Sequence, residues 1–339
     1  MGPGPNPFRS VHALTGRCPT AHATVAAAAS SDIPDGRGAL KSPLHGPKAM
    51  LAGGILSVLA VDRAAADELA GRLGKRKEEG KYYRKSGEYL LTVLVPGESL
   101  LEAAEAITAS DAFYLVSRDV SREEAELALL AEASGRRGTV VASDPDRFSS
   151  TLRGFGVAGM VGEFSPLEPR TPDLGFALVD SGFIVKGVGP VALGITFTGL
   201  AVHDEVVLLP SGKPASIRSI QVLDEDQESV GPGVRYGVSL RGVEERDLKE
   251  CYAIARPGAR TSESLRIARK FQWAPDSRSL HAALRGIRLF GSISGDELRL
   301  ERPMPVPASQ SERAVLLDVN VPKGKLRVYG YSHPPSAQG

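Results

Sequence analysis

Ser181-Gly182-Phe183-Ile184-Val185-Lys186-Gly187-Val188-Gly189-Pro190-Val191-Ala192-Leu193-Gly194 is the stretch on which the fold turns. Two short apolar runs flank a glycine-rich corner, as strands joined by a tight turn require. The pattern continues in Asp204-Glu205-Val206-Val207-Leu208-Leu209-Pro210-Ser211-Gly212 and in Ile217-Arg218-Ser219-Ile220-Gln221. It closes with Ser239-Leu240-Arg241-Gly242-Val243-Glu244 and Asp247-Leu248. Glycines make the corners and alternating apolar positions fill an interior, so residues 175–257 are expected to form a small β-barrel.

Downstream, Glu263–Phe271, Leu284–Phe290, Glu297–Leu300, Ala314–Val319 and Leu326–Tyr329 read as strands of a second barrel. Upstream the period changes. Ile55–Val61 is a continuous apolar run, followed by a helical pattern over Arg63–Leu73 that Gly74 stops. Tyr82–Arg84 and Tyr89–Val95 flank a Lys85-Ser86-Gly87-Glu88 turn. Helical spacing over Glu98–Ser110, a strand at Phe113–Val116, a capping box at Ser121-Arg122-Glu123-Glu124, a strand at Thr139–Ala142, a short helix at Pro145–Leu152 and a strand at Ala158–Val161 complete the alternation. Alternation of this kind predicts an α/β layer with a mostly parallel sheet. The division expected is 50–170, 171–257 and 258–332, with a tail at 333–339.

The chain has 339 residues, 42% hydrophobic and 24% charged, which excludes disordered and collagen-like classes. No apolar run reaches the roughly 20 residues of a membrane-spanning helix. Two cysteines, Cys18 and Cys251, supply neither a disulfide framework nor a four-ligand zinc site. A formal charge of +1 argues against bulk-charge binding to nucleic acid, so any RNA contact must be a local patch. Residues 1–49 are rich in Pro, Gly, Ala and Ser and carry Arg9, Arg17, Arg37, Lys41 and Lys48 against Asp32 and Asp35. They read as a mis-assigned start upstream of Met50, a disordered tail or a targeting segment.

After the first strand, a nucleotide-binding α/β fold needs glycines whose N–H groups cradle phosphate, a lysine, and a hydroxyl for Mg²⁺. Leu59-Ala60-Val61-Asp62-Arg63-Ala64-Ala65-Ala66 has none of them. Alanine instead favours continuing the helix, with Asp62 as its N-cap. Arg63 is the one nearby cation and reads as structural.

Together, the motifs of residues 175–257 closely resemble the second domain of translational GTPases of the elongation factor Tu type, above all the selenocysteine-specific elongation factor (SelB) and its archaeal relatives. Pro190 departs from the threonine usual there. Lys325-Leu326-Arg327-Val328-Tyr329-Gly330 resembles the closing strand of the family's third domain. The resemblance implies a G-domain-like α/β module (P-loop NTPase-like) followed by two β-barrels, over roughly residues 50–331. It also implies which nucleotide-site positions are vestigial. The family's phosphate loop is Gly-His-Val-Asp-His-Gly-Lys followed by Ser or Thr. Val61 and Asp62 keep its centre, Leu59 and Ala64 stand for glycines, Ala65 for the lysine and Ala66 for the hydroxyl. In Leu94-Val95-Pro96-Gly97-Glu98, Pro96 and Gly97 survive from the Asp-x-Pro-Gly-His box. Ser143-Asp144-Pro145-Asp146 retains only Asp146 of the guanine-reading box. The hairpin Tyr82–Val95 replaces the switch segment.

The implied function is that of a cytoplasmic, monomeric elongation factor-like pseudo-GTPase. It would bind tRNA, the ribosome or a translation factor without catalytic residues, GTP or Mg²⁺. The alternative is a working SelB-type GTPase with atypical boxes. Two basic, aromatic-bearing stretches are RNA-binding candidates: Lys81, Arg84 and Lys85 beside Tyr82 and Tyr83, and Arg266, Arg269 and Lys270 beside Trp273. The competing account is a solvated surface whose charges are neutralised locally.

Overall fold

A computed structural model describes residues 50–309, 311–322 and 324–335, so the expectations for residues 1–49 lie outside it. The first unit is built on strands β1 (Ala52–Ala60), β2 (Lys75–Glu78), β3 (Lys81–Ser86), β4 (Tyr89–Leu94), β5 (Ala112–Ser117) and β6 (Arg137–Ala142). Their order is β2-β3-β4-β1-β5-β6. β4, β1, β5 and β6 run parallel, while β2 and β3 are antiparallel additions at one edge. Helices α1 (Arg63–Leu73), α2 (Leu100–Ala109), α3 (Arg122–Ser134) and α4 (Pro145–Thr151) connect them. β1 is apolar apart from Ser57 because both of its faces are covered.

Two local expectations are corrected and one strand is added. The addition is Lys75–Glu78, an exposed edge strand whose charged side chains hide it from periodicity. Ala158–Val161 is no strand: Gly156–Met160 forms a 3₁₀ turn, and only Val161 bridges Val140. The Glu132 carboxylate accepts from Val157 N at 3.0 Å and holds that turn. The Ser121–Glu124 box forms by half. Ser121 Oγ accepts from Glu124 N (3.2 Å), but the Glu124 carboxylate accepts from Ser117 Oγ, Arg118 N and Asp119 N instead. A complete box stands one helix earlier, between Ser99 and Glu102.

Residues 162–174 carry no regular structure and lead into the second unit. It comprises β7 (Phe176–Val185), β8 (Gly189–Thr196), β9 (Leu200–Ala201), β10 (Glu205–Leu209), β11 (Lys213–Val222), β12 (Glu225–Gln227), β13 (Ser229–Val230), β14 (Val234–Arg241), α5 (Glu245–Lys249) and β15 (Ala253–Ala255). The row β10-β15-β7-β8-β14-β11 is joined end to end by a β10–β11 pairing, which closes the expected barrel. Gly187 and Gly189, both at positive φ, turn β7 into β8.

The third unit is a closed barrel of β16 (Thr261–Lys270), β17 (Ser279–Leu284), β18 (Ile287–Ser294), β19 (Glu297–Pro305), β20 (Ala314–Leu317) and β21 (Val328–His333). Leu284–Phe290, expected as one strand, is a hairpin instead. Arg285 and Gly286 both take positive φ (47° and 81°) and turn β17 into β18. No helix among the described residues is long and apolar enough to cross a membrane.

One hydrophobic core runs from α2 and α3 (Leu100, Ile107, Leu130) through β5 (Phe113) into the third unit (Leu284, Val315, Leu317, Val328). The first and second units meet backbone to backbone. Gly53 N donates to Pro232 O at 2.9 Å, and a Cβ at Gly53 would stand 2.1 Å from Leu90 O and 2.5 Å from Gly233 O. Gly53→Ala is therefore expected to destabilise the chain by about 1–3 kcal/mol in urea unfolding. An unchanged midpoint would show that this seam gives way freely.

Candidate functional site

The three vestigial segments follow the C-terminal ends of β1, β4 and β6, the edge of an open α/β sheet where ligands bind. At the β1 end, α1 starts at Arg63 with Asp62 as its N-cap. Asp62 Oδ1 accepts from Ala64 N at 2.9 Å, and its Oδ2 pairs with Arg118 of the β5–α3 loop at 2.7 Å. A carboxylate thus sits at the positive end of the helix. Ala65 and Ala66 point into the core and are buried. Arg63 bridges the other way, donating to Pro96 O at 2.8 Å and pairing with Asp67 at 3.2 Å. Its structural role is therefore visible. Asp62→Ala is expected to cost about 1 kcal/mol of stability through loss of the cap. Thermal unfolding measures it, and a neutral result would mean that the Arg118 contact alone holds the loop.

At the β4 end Leu94 is 3% exposed and belongs to the core. Pro96 is buried, while Gly97 and Glu98 are exposed. Beside them lies a cleft of about 250 Å³ walled by Leu59, Leu100 and Leu127. Glu98, Glu123 and Glu126 bring negative charge to its lining, and Arg327 enters from the third unit. Arg327 is already held there by Glu126, through its backbone N at 2.7 Å and its guanidinium. Asp146 is exposed in the first turn of α4, capped by Asp144, and does not line this cleft.

The basic candidates divide. Lys81 is buried and bonds Glu78 at 2.8 Å, and Tyr82 and Tyr83 are buried too, so neither of these two rings is open to stacking. Arg84 pairs with Glu168 (2.9 Å) and Lys85 with Glu225 of the second unit (2.5 Å). Glu78 also accepts from Tyr83 Oη at 2.9 Å and faces Arg235, itself paired with Asp180. Burial would raise the Glu78 carboxyl, but Arg235 and Lys81 hold it down at about 2. The hairpin therefore ties the first two units together. In the third unit Arg266 pairs with Asp296 (3.1 Å), both exposed, and Lys270 with Asp276. Arg269 lies over Phe271 at 5.7 Å, and Trp273 is 56% exposed.

Sequence reasoning missed the charged cluster between the first and third units. Arg285, 1% exposed, donates to both oxygens of Glu312 (2.8 and 2.7 Å) and to Asp111 Oδ1 (2.8 Å). Asp111 Oδ2 also accepts from Ile55 N (3.0 Å) and Thr171 Oγ1 (2.5 Å). Arg136 completes the group with bonds to Glu312 (2.7 Å) and Thr108 O (3.0 Å). Arg288 pairs with Glu105 at 2.6 Å nearby. No sequence pattern marks these residues, because partners up to 183 positions apart share no period.

Burial raises the Glu312 carboxyl, yet the Arg136 and Arg285 guanidiniums overcome this and hold it at about 2, below its ordinary 4.5. The unfolded chain then binds the proton first. The stability Glu312 contributes is complete above pH 4.5 and is lost as pH falls toward 2. Urea midpoints of the wild type should fall more steeply across that window than those of Glu312→Gln. Parallel curves would exclude the linkage.

No family model matches the chain. A stretch of 76 residues is 34% identical to elongation factor 1-alpha of Saccharolobus solfataricus, covering 22% of this chain and 18% of that protein. Another of 107 residues is 33% identical to the selenocysteine-specific elongation factor of Desulfomicrobium baculatum, 31% of this chain and 16% of that protein. The matched stretches thus span under a third of these relatives. In structure, the chain is similar to elongation factor SelB of Methanococcus maripaludis in complex with the GTP analogue GppNHp (TM-score 0.66, 15% identity, 85% of this chain and 80% of that one). It is likewise similar to bacterial selenocysteine-specific elongation factor EF-Sec (TM-score 0.63, 16% identity, 84% of this chain and 59% of that one). The fold is that of these two elongation-factor structures: a G-domain-like α/β unit with two β-barrels.

Proposed function

From a fold shared with the SelB-type elongation factors, we propose that this chain is a cytoplasmic, monomeric translation-factor paralogue. It binds tRNA, the ribosome or a translation factor through its barrels and neither binds nor hydrolyses GTP. The observation that carries this reading is the ligand edge of the first unit, which the chain's own side chains tie off. Asp62 takes the N–H of Ala64 and the guanidinium of Arg118, and Arg63 takes the carbonyl of Pro96.

The residues present do not fit a guanine nucleotide with Mg²⁺. A phosphate at this helix N-terminus would meet the Asp62 carboxylate, and Ala65 and Ala66 carry neither a cation nor a hydroxyl. Leu94 brings no oxygen to a metal. Phosphoryl transfer relies on positioning and charge stabilisation together, and these are the groups missing. The first unit is left as a rigid docking surface pinned to both barrels.

A fluorescent guanine nucleotide with Mg²⁺ tests the negative half. Micromolar binding, with turnover abolished by Asp146→Ala, would establish a working GTPase instead. Co-sedimentation with ribosomes and titration with aminoacylated and bare tRNA test the positive half. Absence of every association at moderate salt would refute it.

A further inference from the structure

Trp273, between β16 and β17, is the chain's single tryptophan and its most exposed large apolar side chain among the described residues. Its ring lies 5.7 Å from that of Phe155 in the first unit, and Phe155 stands edge-on against Phe271 at 5.7 Å. The indole is therefore fixed at the seam between two units although over half of it faces solvent. It walls a cleft of about 380 Å³ that is also lined by Ala125, Leu129 and Leu326, with Arg122 and Lys325 as its cations.

Arg122 Nη2 donates to Lys325 O at 2.6 Å, so α3 and the segment before β21 are joined across the cleft. Among the described residues neither cation has a carboxylate partner. Glu126, the carboxylate in the lining, is engaged by Arg327. The cationic neighbours of Trp273 thus come from α3 and the 324–326 segment. Lys270, its neighbour in sequence, is paired with Asp276.

An available indole, an apolar lining from Ala125, Leu129 and Leu326, and two cations without counter-ions among the described residues match the chemistry of an unpaired base with its flanking phosphates. A peptide added as a strand needs a free sheet edge. The closed barrel has none beside the cleft, because β21 pairs with both β20 and β16. We propose that this cleft takes an unpaired base of single-stranded RNA, stacked on Trp273 with its phosphates on Arg122 and Lys325. The proposal rests on the RNA-binding part of the function proposed above and adds its place.

Because one tryptophan serves the whole chain, its emission reports on the cleft directly. Short oligoadenylate and oligouridylate at low salt should quench it saturably, whereas inorganic polyphosphate, which has charge but no base, should not. The affinity of a dye-labelled oligonucleotide, read by anisotropy, should fall about fivefold or more in Trp273→Ala. It should fall similarly in the Arg122→Ala/Lys325→Ala double variant and stay within about twofold in Trp273→Phe, which keeps a ring. Equal thermal unfolding of the variants secures the comparison.

Absence of quenching, equal quenching by polyphosphate, or stronger quenching by an acidic aromatic peptide would overturn the proposal. If ribosome or tRNA association persists without quenching by oligonucleotide, the cleft assignment falls and the translation-factor reading stands. If oligonucleotide quenches but neither tRNA nor ribosomes associate, the reverse holds.

Discussion

Arg285→Ala is expected to lower stability by about 3–5 kcal/mol, the range measured when one member of a buried ion pair is removed. The loss far exceeds what the attraction itself contributes, because both carboxylates stay where they are. Asp111 keeps only Ile55 N and Thr171 Oγ1, and Glu312 keeps only Arg136. Arg285→Lys should recover little, since an ammonium cannot reproduce the fork that meets both oxygens of Glu312. Arg266→Ala removes the same charge from an exposed pair and should cost less than about 1 kcal/mol. Urea unfolding of the three variants gives the contrast, and equal midpoints for R285A and R266A would refute it. The contact between the first and third units would loosen with R285A, which hydrogen exchange at α2 and α3 reads separately.

The triple variant Ala64→Gly, Ala65→Lys, Ala66→Thr, which restores the family-type loop, is expected to fail twice. Ala65 and Ala66 are buried, so a lysine and a hydroxyl enter the core without partners, and a helical alanine becomes glycine. Together these should cost about 3 kcal/mol or more. GTP should bind no more tightly than about 1 mM, roughly −4 kcal/mol. Asp62 still occupies the helix N-terminus and Leu94 still offers no metal ligand. Calorimetry with GTP and Mg²⁺ checks the second point. Tight Mg²⁺-dependent binding would show that only the loop had decayed.

The α/β unit was legible because β1 and β5 are largely apolar strands that alternate with helical spacing, and α1 carries its own cap and stop in Asp62 and Gly74. Strands that broke the pattern were missed or merged. Lys75–Glu78 is too charged to look like a strand, and the apolar alternation of β17 and β18 runs through their turn, so Arg285 and Gly286 went unnoticed as its corner. At the candidate site, the missing glycines, lysine and hydroxyl were visible in the letters alone. That Arg63 and Arg118 tie the emptied loop to its neighbours was not.

The same division separates what composition determines from what packing decides. Local properties (which residues cap, turn or extend, and which nucleotide-binding groups are absent) are consequences of residue type and near neighbours, so they follow from the order of residues. Whether a charge is free or engaged depends on residues far along the chain. Lys81 and Arg285 are ordinary cations in sequence, and only folding places one under Glu78 and the other between Asp111 and Glu312. Arg122 and Lys325 are as ordinary, and only folding brings them beside Trp273 with no carboxylate of their own among the described residues. Desolvation and pairing act through space, so the tertiary structure alone decided which basic residues hold the units together and which remain available to a partner.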